Sequence, residues 1–138
     1  MIWLALIVIF AGVVSWAIRA HLRQKRAEAP YRARPCAGIR WRRAFPDATA
    51  SEIGDFLDTV SDCLDLFLCS DSKRVFRPTD TVLELYHIHS PPGSFMDDME
   101  LERLALAAED KYGIDIWKEP FCDWTLGELF RRLRAPNA

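Results

Sequence analysis

The sequence predicts an all-α protein, a single N-terminal transmembrane helix followed by a small helical bundle. Three observations carry this. Ile2 to Ile18, "IWLALIVIFAGVVSWAI", is seventeen residues without a charge. Behind it, three segments each open on a helix start signal and continue with apolar residues at helical spacing. No alternating segment long enough for a sheet interrupts them.

The apolar run predicts a membrane helix, because seventeen residues rising about 1.5 Å each come close to the ~30 Å of a hydrocarbon core. Trp3 and Trp16 stand near its ends, where indole rings favour the headgroup region. A cleaved signal peptide is the rival, but no basic stretch precedes the run and no small-x-small site follows it, which favours an uncleaved anchor.

From Arg19 to Arg43 the chain turns basic. Nine Lys and Arg (Arg19, Arg23, Lys25, Arg26, Arg32, Arg34, Arg40, Arg42, Arg43) stand against the single acid Glu28. Of 18 basic and 20 acidic residues in all, nine and nineteen therefore remain from Ala44 onward. The net charge of −2 thus conceals a cationic collar and an acidic domain. All the collar charge follows the apolar run, so the positive-inside rule predicts a single-pass protein of the cell inner membrane with its C-terminal domain in the cytoplasm. Arg19, Arg23, Lys25 and Arg26, next to the anchor, are the candidate membrane-surface residues, attracted to anionic lipid by about 1 kcal/mol each. The bland alternative is a stop-transfer signal that fixes topology alone. Nucleic acid is not an expected partner, because the acidic folded part repels phosphate. The expected organisation is a transmembrane helix over 1–18, a basic juxtamembrane segment and linker over 19–46, and a folded domain over 47–138. "RAHLRQKRAEA" prolongs the first helix until Pro30 interrupts it.

Within the domain, Thr49 and Glu52 form a T-x-x-E capping box, and Ile53, Phe56, Leu57, Val60, Leu64, Phe67 and Leu68 recur at helical spacing. The pattern predicts a helix from about Ala50 to Cys69 whose outer face carries Asp55, Asp58, Asp62 and Asp65. Asp97 and Glu100 offer a second box, ahead of the stripe Leu101, Leu104, Ala105, Ala108 and Tyr112, with Gly113 as the left-handed stop. Asp97, Asp98, Glu100 and Glu102 crowd this helix's first turn, where the dipole favours negative charge. Thr125 and Glu128 start the last helix, with Leu126, Leu129, Phe130 and Leu133 inward and Arg131, Arg132 and Arg134 at its C-terminal end. Phe56, Leu64, Phe67, Leu104, Ala108, Leu129 and Phe130 are expected to meet in one core.

Metal or nucleophilic chemistry has little support. Cys36, Cys63, Cys69 and Cys122 show no CxxC spacing and no regular pairing with His21, His87 and His89, so no metal site is expected. Buried, reduced thiols are the default in a cytoplasmic domain. His87 and His89 read as a loop or surface pair. No Gly-rich phosphate loop or nucleophile motif is present either, so a hydrolase or metal enzyme is the weakest reading.

From Phe76 to Arg134 the order of segments resembles an acyl carrier protein. "FRPTDTVLEL" is similar to the loop after that family's first helix, "DDMELERLALAAEDKYGIDI" to its second helix and "WTLGELFRRL" to its last. The resemblance implies an acyl-carrier-like bundle. In the family, the serine of an Asp-Ser-Leu triplet opens the second helix and holds a 4'-phosphopantetheine arm. Setting Tyr112-Gly113-Ile114 on the family's Phe-Gly-Ile places Asp97-Asp98-Met99 on the triplet, with Asp98 at the serine position. A carboxylate cannot form the phosphodiester, so no cofactor is expected, as in carrier-like bacterial domains with Asp-Asp in place of Asp-Ser. "YHIHSPPGS" lengthens the approach to the helix, and Ser94 within it is the alternative attachment site for an acyl or other thioester carrier. The resemblance further implies that Asp97, Asp98, Glu100 and Glu102 form an acidic surface for a basic protein partner. The expected function is therefore a membrane-tethered, non-catalytic acyl-carrier-like interaction module. The other alternative is a small membrane protein of unrelated helical type.

Overall fold

The structure, a computed structural model, describes residues 2–66, 75–90 and 98–135. All regular secondary structure among them is helical: α1 (Ile2–Arg32), α2 (Gly38–Ala44), α3 (Ala50–Cys63), α4 (Val82–His89), α5 (Met99–Tyr112), a 3-10 turn (Phe121–Asp123) and α6 (Leu126–Arg134). α1 is long and apolar enough to cross a membrane. Its apolar half is open on all sides, with Trp3, Leu4, Phe10 and Trp16 each more than two-thirds exposed. Pro30 does not end it, contrary to the sequence expectation. A proline lacks one backbone donor and crowds the preceding turn, yet here it stands in the last turn, and Ala33 N still donates to Ala29 O at 3.1 Å. Packing holds that turn in place: Tyr31 lies edge-on to Phe76, and the Arg34 guanidinium lies 4.3 Å from the centroid of the Tyr31 ring.

The segment 19–46, expected as a linker, contains part of the core. α2 carries Trp41, 1 % exposed, whose Nε1–H donates to Phe76 O at 2.8 Å. Around its indole stand Phe45, Phe56 and Phe130, with ring centroids 5.7 to 5.9 Å away. Phe45 stacks on the indole and Phe56 and Phe130 meet it edge-to-face, arrangements that add attraction beyond the area they bury. Ala27 and Tyr31 of α1 also pack against the core, so the folded unit takes in the end of α1 and is not confined to 47–138.

α3 starts on the Thr49–Glu52 box, with both reciprocal hydrogen bonds present. It ends at Cys63, six residues earlier than expected. Leu64 caps it and is fully buried, while Asp65 turns left-handed at φ 49° and leaves the helical aspartate stripe. Arg103 of α5 clamps this end, donating to both Asp65 carboxylate oxygens at 3.1 Å and to Asp62 O at 3.0 Å. A guanidinium there satisfies a terminal carbonyl and suits the negative end of the dipole. Phe67, Leu68 and Cys69 lie outside the described residues.

α4 was expected as loop, and it places His87 on a helix. Thr81 and Glu84 form a full capping box before it, and Val82, Leu85, Tyr86 and Ile88 are buried. It packs against the end of α1. The starts of α4 and α6 are tied together: Val82 N donates to Trp124 O at 3.0 Å, Leu126 N to Asp80 O at 2.8 Å and Gly127 N to Pro78 O at 2.8 Å. Gly127 suits this approach, because a Cβ there would stand 3.0 Å from Pro78 O and would push the two segments apart by a few tenths of an ångström. α6 itself follows the sequence expectation, with its Thr125–Glu128 box and with Leu126, Leu129, Phe130 and Leu133 buried. Phe56, Leu64, Leu104, Ala108, Leu129 and Phe130 share one core; Phe67 lies outside the described residues.

Candidate functional site

The face of α5 turned away from α3 is built by helical spacing. Leu101, Leu104, Ala105 and Ala108 are buried, which leaves Met99, Glu102, Leu106, Glu109 and Asp110 outside. Met99 and Leu106 are 60 % and 57 % exposed. Seven residues apart, they lie two turns from one another, about 10.5 Å along the axis. Glu102 lies between them. The sequence signal was available, since both positions fall off the inward stripe, but the acids drew attention and the two apolar residues did not.

The four expected docking acids are not equivalent. Asp98 is exposed and is the N-cap of α5, though its side chain makes no capping bond. Tyr86 Oη donates to its Oδ1 at 3.4 Å. Burial, foremost, and the nearby Asp98 and Glu100 charges push the Tyr86 phenol up. Glu102 is exposed. Glu100, by contrast, is only 7 % exposed and cannot belong to an open acidic surface. Among the described residues its Oε2 has no hydrogen-bond partner. The cap of α5 is Asp98, one residue later than expected, and Glu100, one turn before buried Leu104, lies on the flank of the inward stripe. Asp97 and Ser94 lie outside the described residues.

Arg19, Arg23, Lys25 and Arg26 are exposed along the second half of α1. The rest of the collar divides. Arg32 pairs with buried Glu28 at 2.6 Å. Arg34 holds both oxygens of Asp80 at 2.8 Å, and Asp80 also accepts from Arg77 N at 2.7 Å. Both arginines are structural: the Arg32–Glu28 pair lies within α1, and Arg34 fastens the end of α1 to the loop before α4. Burial first, then Asp80 and Glu84, push the Tyr31 phenol up at the same junction.

Among the described residues no group of three or more His, Cys, Asp or Glu is arranged to hold a metal ion. Cys36 is exposed, which departs from the expectation of buried thiols, whereas Cys63 is buried and Cys122 half-buried. Burial pushes both of the latter thiols up, away from the thiolate form that makes a cysteine reactive. The exposed side of α5, with acids interleaved between two bare apolar side chains, is suited to binding. No family model matches this chain, and neither a curated protein nor a solved structure matches it.

Proposed function

We propose that the chain is a membrane-tethered, non-catalytic, acyl-carrier-like interaction module, anchored in the inner membrane by α1 with its domain on the cytoplasmic side. It presents α5 to a basic protein partner. The observation that carries this is the outward face of α5, where Asp98, Glu102, Glu109 and Asp110 surround the exposed Met99 and Leu106. Apolar anchors ringed by charge fit a partner surface of complementary pattern, an apolar strip flanked by Lys or Arg, with the charges governing encounter and register more than final affinity. The acid at the carrier-serine position, Asp98, stands exposed at the helix start, and its side chain is the wrong nucleophile for an arm.

Two measurements test this. A photo-crosslinking residue in place of Leu106 should yield an adduct with a basic protein in native membranes, and Asp98→Lys with Glu102→Lys should abolish it. An adduct indifferent to those charge reversals would contradict the proposal. Incubation of the purified chain with coenzyme A and a phosphopantetheinyl transferase should leave its mass unchanged. A gain of one phosphopantetheine would replace this reading with that of a carrier armed at Ser94.

A further inference from the structure

A second surface lies where α2 and α6 come together. Their C-terminal ends border an open cleft of about 380 Å³ lined by Ala44, Phe45, Pro46, Asp47, Arg131, Arg134 and Ala135. The Arg131 guanidinium lies over the Phe45 ring and that of Arg134 over Phe130, each 5.7 Å from the ring centroid. Arg134 also donates to Asp47 O at 3.2 Å. Arg40, Arg42 and Arg43 of α2 are exposed, and among the described residues none of them has a hydrogen-bonded or ion-paired partner. Beside them Ile39 is 66 % exposed. Among the described residues, acids also stand at this face: Asp47 in the cleft, Glu52 3.8 Å from Arg134, and Glu128 near Arg131. The folded part carries a large excess of acid, yet five arginines and a bare isoleucine gather here.

We infer that this face, Arg40, Arg42 and Arg43 of α2 with Arg131 and Arg134 of α6, rests on the phosphates of anionic lipid and inserts Ile39 at the headgroup boundary. The inference rests on α1 spanning the membrane. A hydrocarbon core of ~30 Å takes up about 20 helical residues, and one headgroup layer a few more. α1 starts at Ile2 and so leaves the lipid at about residue 25. Ala27 and Tyr31 already pack on the domain, and α2 begins at Gly38. The domain therefore stands against the headgroups with no free linker, within about a Debye length of them. At that range anionic lipid attracts basic side chains and repels the acidic α3 and α5, so the field turns the arginine face down. That orientation leaves α5 open to the partner proposed above.

Hydrogen exchange on the full chain in nanodiscs tests the inference. Discs of phosphatidylcholine are compared with discs that also contain phosphatidylglycerol, after alkaline washing has established that the chain is inserted. Backbone amides from Gly38 to Asp47 should exchange at least about fivefold more slowly in the anionic discs, the effect of one arginine engaging the surface. Amides of α5 should not change. Arg40→Gln with Arg42→Gln and Arg43→Gln should remove the difference, and Ile39→Ser should reduce it; all four side chains are exposed, so the helical content should stay that of the parent. Equal exchange in the two discs, with the chain inserted, would overturn this inference and leave the anchor intact. Failure to insert would overturn both. Protection that follows added inorganic phosphate in phosphatidylcholine discs would mean a soluble-anion site in place of a lipid surface. Protection that depends on several chains per disc, whatever the lipid, would mean that the face meets the acids of a second copy, and the lipid assignment would fall.

Discussion

Asp98 and Glu100 stand two residues apart, yet one faces water and the other the interior. The difference follows from where the helix begins. Asp98 is the cap, outside the helix, whereas Glu100 lies one turn before Leu104 on the flank of the buried stripe, so a carboxylate that reads in sequence as one more acid of the first turn is a buried group. Asp98, exposed and without a capping bond, interacts mainly with the helix dipole. Asp98→Ser should accordingly cost only about 0.3–1 kcal/mol in chemical denaturation. A loss of several kcal/mol would show that its carboxylate is bound inside the domain. The capping glutamates behave in the opposite manner. Bonds from the backbone N–H and hydroxyl of Thr49 and Thr125 hold the Glu52 and Glu128 carboxyls below their usual 4.5. A depressed folded-state pKa means that the support is complete above about 4.5 and is lost as pH falls through the folded value. Thermal stability should therefore drop as the solution is acidified below that point. Thr49→Ala and Thr125→Ala, each costing about 1 kcal/mol at neutral pH, should make the acid drop shallower; an unchanged acid profile would show that the boxes do not contribute it.

Helices that open on a capping box were legible wherever the box was followed by a long apolar stripe. α3 and α6 show this at their starts, because Thr49–Glu52 and Thr125–Glu128 satisfy terminal donors by local geometry that the sequence displays directly. The same signal stands at Thr81–Glu84, but the following helix has eight residues, and the carrier resemblance assigned that stretch to a loop. α2 could not be read from period or caps. It has seven residues, no side-chain cap and one fully buried anchor, Trp41, so its arginines dominated the pattern; only contact with Phe56, Phe76 and Phe130, distant in sequence, makes it part of the core. The end of α3 was misplaced for a related reason, since the apolar period of the sequence continues from Leu64 to Phe67 and Leu68, whereas the backbone has left the helix at Asp65. Asp98 and Glu102, expected at the first turn of α5, are exposed there. Met99 and Leu106 were legible as apolar residues off the inward stripe of Leu101, Leu104, Ala105 and Ala108, but the acids around them dominated the pattern. The α1–α4 junction gives the element-scale prediction. Asp80→Ala removes the acceptor of both Arg34 and the Arg77 amide in a largely buried setting, and should cost about 3 kcal/mol. A cost near that of a surface ion pair would mean that Arg34 and Asp80 do not hold α1 to the domain.

At the scale of the whole molecule, one helix of 31 residues, about 46 Å long, runs from an open apolar half into the core of an acidic bundle. A soluble protein of this size would have to leave that apolar half facing water, at ~25 cal/mol for every Å² of apolar surface. A bilayer removes the penalty, and the basic residues from Arg19 to Arg26 begin where such a helix would meet the headgroups. Everything proposed for α5 and for the arginine face depends on that insertion. The most direct measurement is extraction of the full chain from the membranes of cells expressing it, with alkaline carbonate, which strips peripheral proteins and leaves integral ones. The chain should remain in the membrane pellet and be released only by detergent. Its appearance in the carbonate supernatant would contradict the membrane anchor, and with it the tethered module.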